Sequence, residues 1–273
     1  MGSVLICGPQ TVSMALTKRF KAIGIRSYTV TNSRYLDTNT VIINKDLFNL
    51  SAYDIPSVSI AYYFPEISTT SSQTLAQYRR AYLHGLKHLL SVLPSNTKVV
   101  LGSSERIYGN QYGATVNENS PLDTLCPVAR VLTKAEAMLQ LKPNPHTILR
   151  LGTIYTDSAN LITRIKKQKI GYSQRQHIMN FIHISDLVSA CMKLLNHTGT
   201  FIVSDYQPTA LNTILSLISS KTGLIVSPPR KHIKCSRGIR LSPEKLLSLG
   251  FELKHAGFTY NTQHANSTST NHA

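Results

Sequence analysis

Short apolar runs alternate with amphipathic segments along the first 155 residues of the chain. A short apolar run bounded by turn residues predicts a buried strand, and apolar residues three or four positions apart predict a helix. Strands are predicted over Ser3–Gly8, Ser27–Ser33, Asn39–Leu47, Ser57–Pro65, Lys98–Ser104 and His146–Tyr155, and helices over Thr11–Gly24, Thr74–Leu93 and Arg130–Leu141. Strands separated by helices are typical of βα units, so we expect an α/β fold with a doubly wound parallel sheet. Its ligand crevice would lie at the carboxyl ends of the strands.

The pattern becomes less regular after residue 155. A strand-turn-helix is predicted over Asn180–Asn196, with Ser185 or Asp186 as the helix N-cap, followed by a strand over Gly199–Asp205. Two further helices are predicted over Thr209–Gly223 and Ser242–Phe251. We therefore expect a Rossmann-like domain over residues 1–155, with strands also contributed by 176–205, and a small mixed C-terminal substrate-side region over 156–260. The polar tail 261–273 is predicted to be disordered.

The composition favours a globular protein in a reducing compartment. Apolar residues make up 42% of the chain, and no apolar run approaches the ~18 residues that cross a bilayer. The chain enters a strand almost at once, which argues against secretion or a membrane anchor. Four scattered cysteines without a CxxC pair indicate incidental thiols in the cytoplasm.

The net charge of +16 is the unusual feature of the composition. Basic clusters occur at Arg164–Lys169 and Arg230–Arg240, and such charge attracts nucleic acid or anionic substrates. A basic bias of the whole proteome explains the charge equally simply. We favour that bias over nucleic-acid binding, because no aromatic residues interleave the clusters and no nucleic-acid motif is present. The ten histidines suggest no metal site.

The turn after the first strand offers part of a dinucleotide-binding motif. That motif needs three glycines, for a tight turn, for close approach of the pyrophosphate and for helix packing. Gly8 fills the first place, but Gln10 stands at the second and Ser13 at the third. Pro9 also removes a backbone donor from the loop. A strand-turn-helix without a ligand explains the segment equally well.

Two residues beyond the next strands are further candidates for cofactor binding. Arg34 follows the second strand, where a guanidinium would pair with a 2′-phosphate and slightly favour NADP over NAD. In so basic a chain, an arginine without any ligand is an equally good interpretation. Asp46, just beyond the third strand, completes the set.

Four segments in order, "VVLGSSERIYG", "VNENSPLDTLCPVARVLTKAEAML", "ILRLGTIY" and "NFIHISDLVSACMKLL", resemble the extended short-chain dehydrogenase/reductase superfamily. The resemblance is to its NAD(P)-dependent nucleotide-sugar epimerase/dehydratase branch, and within it to an atypical bacterial subgroup. It covers residues from about 3 to 258. It implies an NAD(P) cofactor, a nucleotide-sugar-like or small hydroxylated substrate, and a homodimer formed through the helices Thr74–Leu93 and Arg130–Leu141.

The resemblance also assigns candidate catalytic residues. Ser104 matches the serine that holds the substrate oxygen, four residues before Tyr108. Lys134 matches the lysine that lowers the pKa of the catalytic tyrosine and binds the nicotinamide ribose. Arg130 occupies the place of that tyrosine, and members of the atypical subgroup often have an arginine there. Asp186 matches a residue with a structural role, which caps the next helix.

The departure at Arg130 affects the chemistry directly. Hydride transfer at a carbinol carbon needs a group that exchanges a proton with the carbinol oxygen. Arginine stays protonated at neutral pH and cannot take part in that exchange. Another tyrosine would have to take over the acid/base role. The candidates are Tyr108 and Tyr112, after the fifth strand, and Tyr62 and Tyr63, at the end of the fourth. Ordinary packing is the favoured interpretation of these tyrosines and of the strand residue His183. The sequence thus leaves two hypotheses: an NAD(P)-binding epimerase/dehydratase-like protein whose cofactor site is weakened or lost, or a non-catalytic binding or regulatory protein on the same scaffold.

Overall fold

The computed structural model of the chain describes residues 2–31, 41–67, 75–156, 177–222 and 238–257. Arg34, the cluster Arg164–Lys169, most of the cluster Arg230–Arg240 and the tail 261–273 lie outside the described residues. The predictions made for them therefore stay predictions.

A seven-stranded sheet forms the centre of the fold. Its strands are β1 (Ser3–Cys7), β2 (Ser27–Val30), β3 (Val41–Ile43), β4 (Val58–Tyr63), β5 (Lys98–Ser104), β7 (His146–Leu151) and β11 (Gly199–Val203). They lie in the order β11-β7-β5-β4-β1-β2-β3, and every pairing from β3 to β5 is parallel. The predicted doubly wound parallel sheet is confirmed. The strand order reverses between β1 and β4, which is the switch point where this architecture binds ligands.

Seven α-helices are described. They are α1 (Gln10–Ala22), α2 (Leu75–Tyr78), α3 (Leu86–Val92), α4 (Pro127–Gln140), α5 (Ile184–Lys193), α6 (Leu211–Thr222) and α7 (Glu244–Leu247). In α1, the predicted apolar face is buried through Val12, Leu16 and Phe20. The helix ends just before Gly24, whose φ of 72° suits a residue without a side chain.

The predicted helix Thr74–Leu93 is interrupted. Between α2 and α3 the chain forms a π-helical segment over Arg79–Gly85. Such wider turns leave backbone groups outside the regular α-helical ladder and are frequent at functional sites. Nothing in the apolar spacing of the sequence indicates this interruption.

The predicted strand His146–Tyr155 is also divided, into β7 and β8 (Thr153–Tyr155). The break falls at Gly152, where an added Cβ would lie 2.9 Å from the carbonyl oxygen of Asn180. Strand β8 pairs in parallel with β10 (Phe181–His183) in a separate two-stranded sheet. The absence of a side chain at Gly152 allows the close approach of the backbone of Asn180.

By its internal contacts, the chain divides into two compact units. The first unit comprises Met1–Ile107, Pro121–Arg150 and Val188–Phe201, and the second comprises Tyr108–Ser120, Leu151–Leu187 and Ile202–Ala273. The second unit holds the remaining short strands, β6 (Thr115–Val116), β9 (Ile178–Met179), β12 (Thr209–Ala210) and β13 (Arg240–Leu241).

The first unit buries a carboxylate, a guanidinium and a hydroxyl together. Glu136, on the buried face of α4, accepts a hydrogen bond of 2.6 Å from Ser103 Oγ and one of 2.8 Å from Arg150 Nη2. The Nε of Arg150 lies 3.2 Å and 3.3 Å from the two oxygens of the same carboxylate. Both charged side chains are almost fully buried. This ion pair connects β5, α4 and β7.

Lys98, at the start of β5, is a second buried charge in the first unit. Its Nζ donates to the carbonyl oxygens of Leu194 and Leu195, both at 2.8 Å, and of His197 at 2.5 Å. These carbonyls follow the end of α5, where a helix leaves acceptors without intrahelical donors. Lys98 therefore donates to three carbonyls at once, and those of Leu194 and His197 also accept from the N–H of His197 at 3.1 Å and from Thr147 Oγ1 at 2.6 Å, respectively.

In the second unit, Asp186 binds the chain near residue 255. Its two carboxylate oxygens accept from the backbone N–H groups of Lys254 and His255, at 3.2 Å and 2.8 Å. The N-cap prediction for Ser185 or Asp186 is wrong, because α5 begins at Ile184 and both residues lie inside it. The carboxylate holds a distant segment of the same unit instead of its own helix terminus.

Asp205, in the second unit, makes stability depend on pH. It is fully buried, burial raises its pKa to about 6, and its Oδ2 has no hydrogen-bond partner among the described residues. A carboxyl group whose pKa is raised on folding favours the folded state below its unfolded pKa of about 3.9, and this contribution is lost as pH rises through the folded value. The wild-type chain should therefore lose about 2 kcal/mol of stability relative to Asp205→Asn between about pH 4 and pH 7.

Denaturant unfolding of both chains at several pH values measures this difference. Glu252→Gln, which changes an exposed carboxylate of the same unit, is the matched control and should follow the wild type. Parallel stability profiles for wild type and Asp205→Asn would contradict the prediction.

No helix in the described parts of the chain is long and apolar enough to cross a membrane. The same parts contain no group of three or more histidine, cysteine or acidic side chains that could hold a metal ion.

Candidate functional site

A cavity of about 340 Å³ opens at the carboxyl ends of β1, β2 and β4 in the first unit. Ligand pockets in proteins span roughly 300–1,000 Å³, so this cavity lies at the small end of the range. Strand ends contribute Cys7 and Gly8, Val30 and Thr31, and Tyr63 and Phe64. The segment after β3 and the helix Arg79–Gly85 provide the other walls. The cavity therefore lies beside the switch point of the sheet.

The turn after β1 packs closely against helix α1, as a dinucleotide-binding turn does, but the cavity does not extend to the N-terminus of that helix. Ser13 is buried, and its Oγ donates to the carbonyl of Gly8 at 3.1 Å. Helix α1 begins at Gln10, which is exposed, directly after Pro9. The cavity wall includes Gly8 but neither Pro9 nor Gln10. The cavity therefore stops short of the helix N-terminus, where an anion would find free backbone donors.

Phe64 occupies the space on the other side of Gly8. Its backbone N–H donates to the carbonyl of Cys7 at 2.8 Å, which extends the pairing of β4 with β1. A Cβ added to Gly8 would lie 2.8 Å from the Cβ of Phe64, and one added to Gly102 would overlap the phenyl ring. The ring is thus buried against Gly102 of β5. The glycine at the first motif position accommodates a side chain of this protein.

The segment after β3 places charged and aromatic groups on the cavity wall. Asp46 accepts a hydrogen bond of 2.9 Å from the backbone N–H of Phe48, so one carboxylate oxygen is fixed. The Arg80 guanidinium lies over the Phe48 ring, 4.2 Å from its centroid, which is a cation–π contact. Lys45 is paired at 2.7 Å with Asp54, which offsets its charge.

The π-helical segment is fixed to the sheet by Tyr63. The Tyr63 hydroxyl donates to the carbonyl of Ala81 at 2.6 Å, inside the widened turn. A side chain at Gly85 would overlap that hydroxyl. Tyr63 and Gly85 together hold the wall that carries Arg80.

The candidate catalytic residues do not line this cavity. Arg130 and Lys134 lie one turn apart on the exposed side of α4, and Ser104, half-buried at the end of β5, accepts from the backbone N–H of Arg106 at 3.3 Å. Tyr108 is buried in the second unit, where its hydroxyl donates to the carbonyl of Asn117 at 2.9 Å. No hydrogen bond or ion pair in the described chain joins Ser104, Arg130 and Lys134.

The tyrosines at the end of β4 are poor acid/base groups. Burial raises the pKa of both Tyr62 and Tyr63 above the usual value for a phenol. Neither hydroxyl would lose its proton near neutral pH. Tyr112, after β5, is exposed in the second unit and adopts a positive φ of 54°.

Sequence reasoning missed the cavity residues Phe64, Phe48 and Arg80. The available signal was the aromatic run "AYYFP" at the carboxyl end of β4, where a ligand crevice calls for small residues. Arg80 carried no such signal, because its position on the wall depends on the π-helical turn.

No protein-family model matches the chain, and no curated protein matches it. Solved structures do match. A proposed NAD-dependent epimerase/dehydratase from Methylobacillus flagellatus is 21% identical with a TM-score of 0.73, and the match covers 94% of both chains. MoeE5 in complex with UDP-glucuronic acid and NAD is 19% identical with a TM-score of 0.75, over 93% of this chain and 94% of that one. WbmG of Bordetella bronchiseptica in complex with NAD is 16% identical with a TM-score of 0.71, over 94% and 91% of the two chains.

These matches define the architecture of the molecule. The chain has the Rossmann-like α/β fold of NAD-dependent epimerases and dehydratases, which confirms the resemblance at the level of fold. Similarity at about 20% sequence identity establishes the fold alone, so the function has to be argued from the residues of the site.

Proposed function

We propose that this chain is a nucleotide-binding protein of the short-chain dehydrogenase/reductase type that has lost the redox chemistry of the epimerase/dehydratase branch. The observation that carries the proposal is the division of the ligand site. The cavity lies at the ends of β1, β2 and β4, while Phe64 covers the β5 side. A nucleotide-sized space is retained, and the space for the reactive half of a dinucleotide is filled.

The residues present do not fit a complete NAD(P). A dinucleotide in this architecture extends across the switch point, with its pyrophosphate at the N-terminus of the first helix. Here the phenyl ring of Phe64 packs on Gly102, and Gln10 and Pro9 replace the motif residues at the helix N-terminus. The pyrophosphate would lack hydrogen-bond donors at the helix N-terminus, and the second nucleotide would meet the phenyl ring of Phe64.

The acid/base geometry supports the same conclusion. Arg130 stands in place of the tyrosine, and the described tyrosines at the end of β4 have raised pKa values. Loss of a general acid/base costs roughly 10²–10⁴ in rate. The chain would bind its ligand without exchanging a hydride with it.

A second candidate function is an active NAD(P)-dependent enzyme for a nucleotide-sugar-like or small hydroxylated substrate. It is supported by the structural neighbour MoeE5, which was solved with UDP-glucuronic acid and NAD. Ser104 and Lys134 would then hold the substrate oxygen and the cofactor ribose. This function requires Phe64 to leave the place that it occupies in the structure.

Titration calorimetry with NAD, NADH, NADP and NADPH, combined with an absorbance assay for hydride transfer, tests the proposal. We expect weak or undetectable dinucleotide binding and no change in reduced cofactor when UDP-glucose or UDP-glucuronic acid is added. Arg130→Tyr should be equally inactive, because a phenol alone does not restore the cofactor site. Turnover by the wild-type chain or by Arg130→Tyr would overturn the proposal.

A further inference from the structure

We infer that the outward face of α1 and the turn after it bind an anionic lipid bilayer, as a peripheral contact that needs no spanning segment. The surface, called the α1 basic surface below, consists of Met14, Lys18, Arg19, Lys21, Ile23 and Arg26. All six residues are exposed in the first unit, and none of them lines the cavity. The inference is therefore independent of the nucleotide-binding function proposed above.

The period of α1 places three of these residues in one row. Met14, Lys18 and Lys21 follow one another at intervals of four and three positions, which is the spacing of residues on one side of a helix. The opposite side of α1 carries Leu16 and Phe20, which are buried in the core. The row therefore faces away from the sheet.

The turn after α1 adds two more exposed side chains at the same end of the helix. The N–H groups of Ile23, Gly24 and Ile25 donate to carbonyls of the last helical turn at 3.1, 3.0 and 2.9 Å, which fixes the turn against the helix. Arg26 follows directly, and its guanidinium lies 5.4 Å from the centroid of the Tyr28 ring. Ile23 and Arg26 therefore lie beside the C-terminal end of the row.

The cations of the α1 basic surface are not neutralised by nearby acids. Among the described residues, Lys18, Arg19, Lys21 and Arg26 form no ion pair. The sequence contains no acidic residue before Asp37, which lies outside the described residues.

The acidic side chains described in the first unit lie elsewhere or are already bound. Asp46 and Glu66 line the cavity, and Asp54 forms its ion pair with Lys45. The other three follow β5, precede α4 and form the buried ion pair of α4, and they are Glu105, Asp123 and Glu136. Within the described part of the first unit, the positive charge of the surface thus faces solvent without a neutralising group.

The helix dipole accounts for only part of this charge. Cations stabilise the last turn of a helix, which here holds Arg19 and Lys21. Lys18 precedes that turn and Arg26 lies beyond the helix, so both gain little from the dipole. An external anionic surface is the partner that would use all four cations together.

The apolar residues of the surface favour a bilayer over other polyanions. Met14 and Ile23 are 49% and 42% exposed, and in the chain they flank the cations of the helix. Anionic headgroups attract the cations, and the acyl boundary below the headgroups accepts apolar side chains. Nucleic acid would supply the charge without that apolar layer. The single aromatic residue of α1, Phe20, is buried and offers no ring for a base to stack on.

The first experiment measures cosedimentation of the wild-type chain with lipid vesicles. Vesicles of phosphatidylcholine and phosphatidylglycerol in equal parts should bind the chain, whereas vesicles of phosphatidylcholine alone should leave it in solution. Added salt should weaken the binding, because it screens the charges. Equal binding to both kinds of vesicle, or binding to neither, would overturn the inference.

The second experiment removes three cations of the surface together. The combination of Lys18→Gln, Lys21→Gln and Arg26→Gln should weaken binding to the mixed vesicles by about thirtyfold or more, since each cation near an anionic bilayer contributes roughly a factor of five. Circular dichroism verifies that the variant is folded, which the exposure of all three side chains favours.

The matched control removes the same charge from other exposed positions of the first unit. It combines Arg79→Gln, Lys87→Gln and Lys142→Gln, and so again replaces two lysines and one arginine. The control should weaken vesicle binding by less than about fivefold, because these cations lie outside the contact. Equal losses in the two combinations would show attraction by the net charge of +16 and overturn the site.

The third experiment separates a bilayer from other polyanions. Met14→Gln with Ile23→Gln keeps the net charge and should weaken vesicle binding by about fivefold or more, since it removes the apolar contact. Binding of a DNA duplex of random sequence should stay the same in this variant. Unchanged vesicle binding, or tighter binding of the duplex than of the mixed vesicles by the wild-type chain, would overturn the assignment to a bilayer.

Discussion

Replacement of Glu136 by alanine should lower the free energy of unfolding by about 3–5 kcal/mol, because it leaves a buried guanidinium without its carboxylate. Arg150 is 6% exposed and Glu136 is 3% exposed, so water cannot take the place of the lost partner. The hydroxyl of Ser103 loses its 2.6 Å acceptor in the same step. Urea unfolding monitored by circular dichroism measures the loss.

Two variants separate this effect from a general weakness of α4. Lys134→Ala, on the exposed side of the same helix, should stay within about 0.5 kcal/mol of the wild type. The double replacement Glu136→Leu with Arg150→Met removes both charges together and should recover most of the loss, since apolar pairs of similar volume often replace buried ion pairs without cost. A loss below about 1 kcal/mol for Glu136→Ala would mean that the pair is solvated in solution.

Lys98→Met should cost about 2–3 kcal/mol, because three backbone carbonyls lose a charged donor. Burial lowers the pKa of Lys98 to about 8, so the ammonium form still predominates at neutral pH. Methionine keeps the apolar stem and removes the hydrogen bonds to Leu194, Leu195 and His197. The Leu195 carbonyl then loses the donor Nζ, whereas the His197 carbonyl keeps Thr147 Oγ1 at 2.6 Å and the Leu194 carbonyl keeps the N–H of His197 at 3.1 Å.

Thermal and denaturant unfolding at pH 7 test this prediction. Lys142→Met removes an exposed lysine in the same unit and is the matched control, with an expected change within about 0.5 kcal/mol. Equal stability of Lys98→Met and the wild type would show that the carbonyls find other donors.

The sheet was predictable because its strands follow the simplest physical pattern. Strand β1 is almost wholly apolar and β5 contains the apolar run Val99–Leu101, as expected for strands buried on both faces of a parallel sheet. Helix α1 was equally clear, since its apolar positions recur at helical spacing and Gly24 ends it. Local pattern and tertiary burial agree in these elements.

The candidate site was less predictable, because it depends on contacts between distant residues. Lys98 and Glu136 are charged residues, which the sequence alone places at the surface, yet both are buried. The partners of Lys98 lie 96 to 99 positions away in sequence, and the partner of Glu136, Arg150, lies 14 positions away. The division of the predicted strand at Gly152 depends on the close approach of the Asn180 backbone. The apolar pattern around Gly152 gives no sign of that distant residue. Phe64 shows the same limit, since only the packing against Gly102 reveals that it fills ligand space.

The π-helical segment Arg79–Gly85 also changes the angular phase of its helix. Each residue of an α-helix advances by about 100°, so a turn that holds an extra residue rotates everything before it relative to everything after it. After the segment, α3 buries Leu86, Leu89 and Leu90 in the core. Before and within it, Gln77, Arg80 and Ala81 face the cavity. Because Tyr82 and Gly85 of the segment are buried as well, one continuous helix turns part of its surface to the cavity while residues on both sides of the widened turn remain in the core.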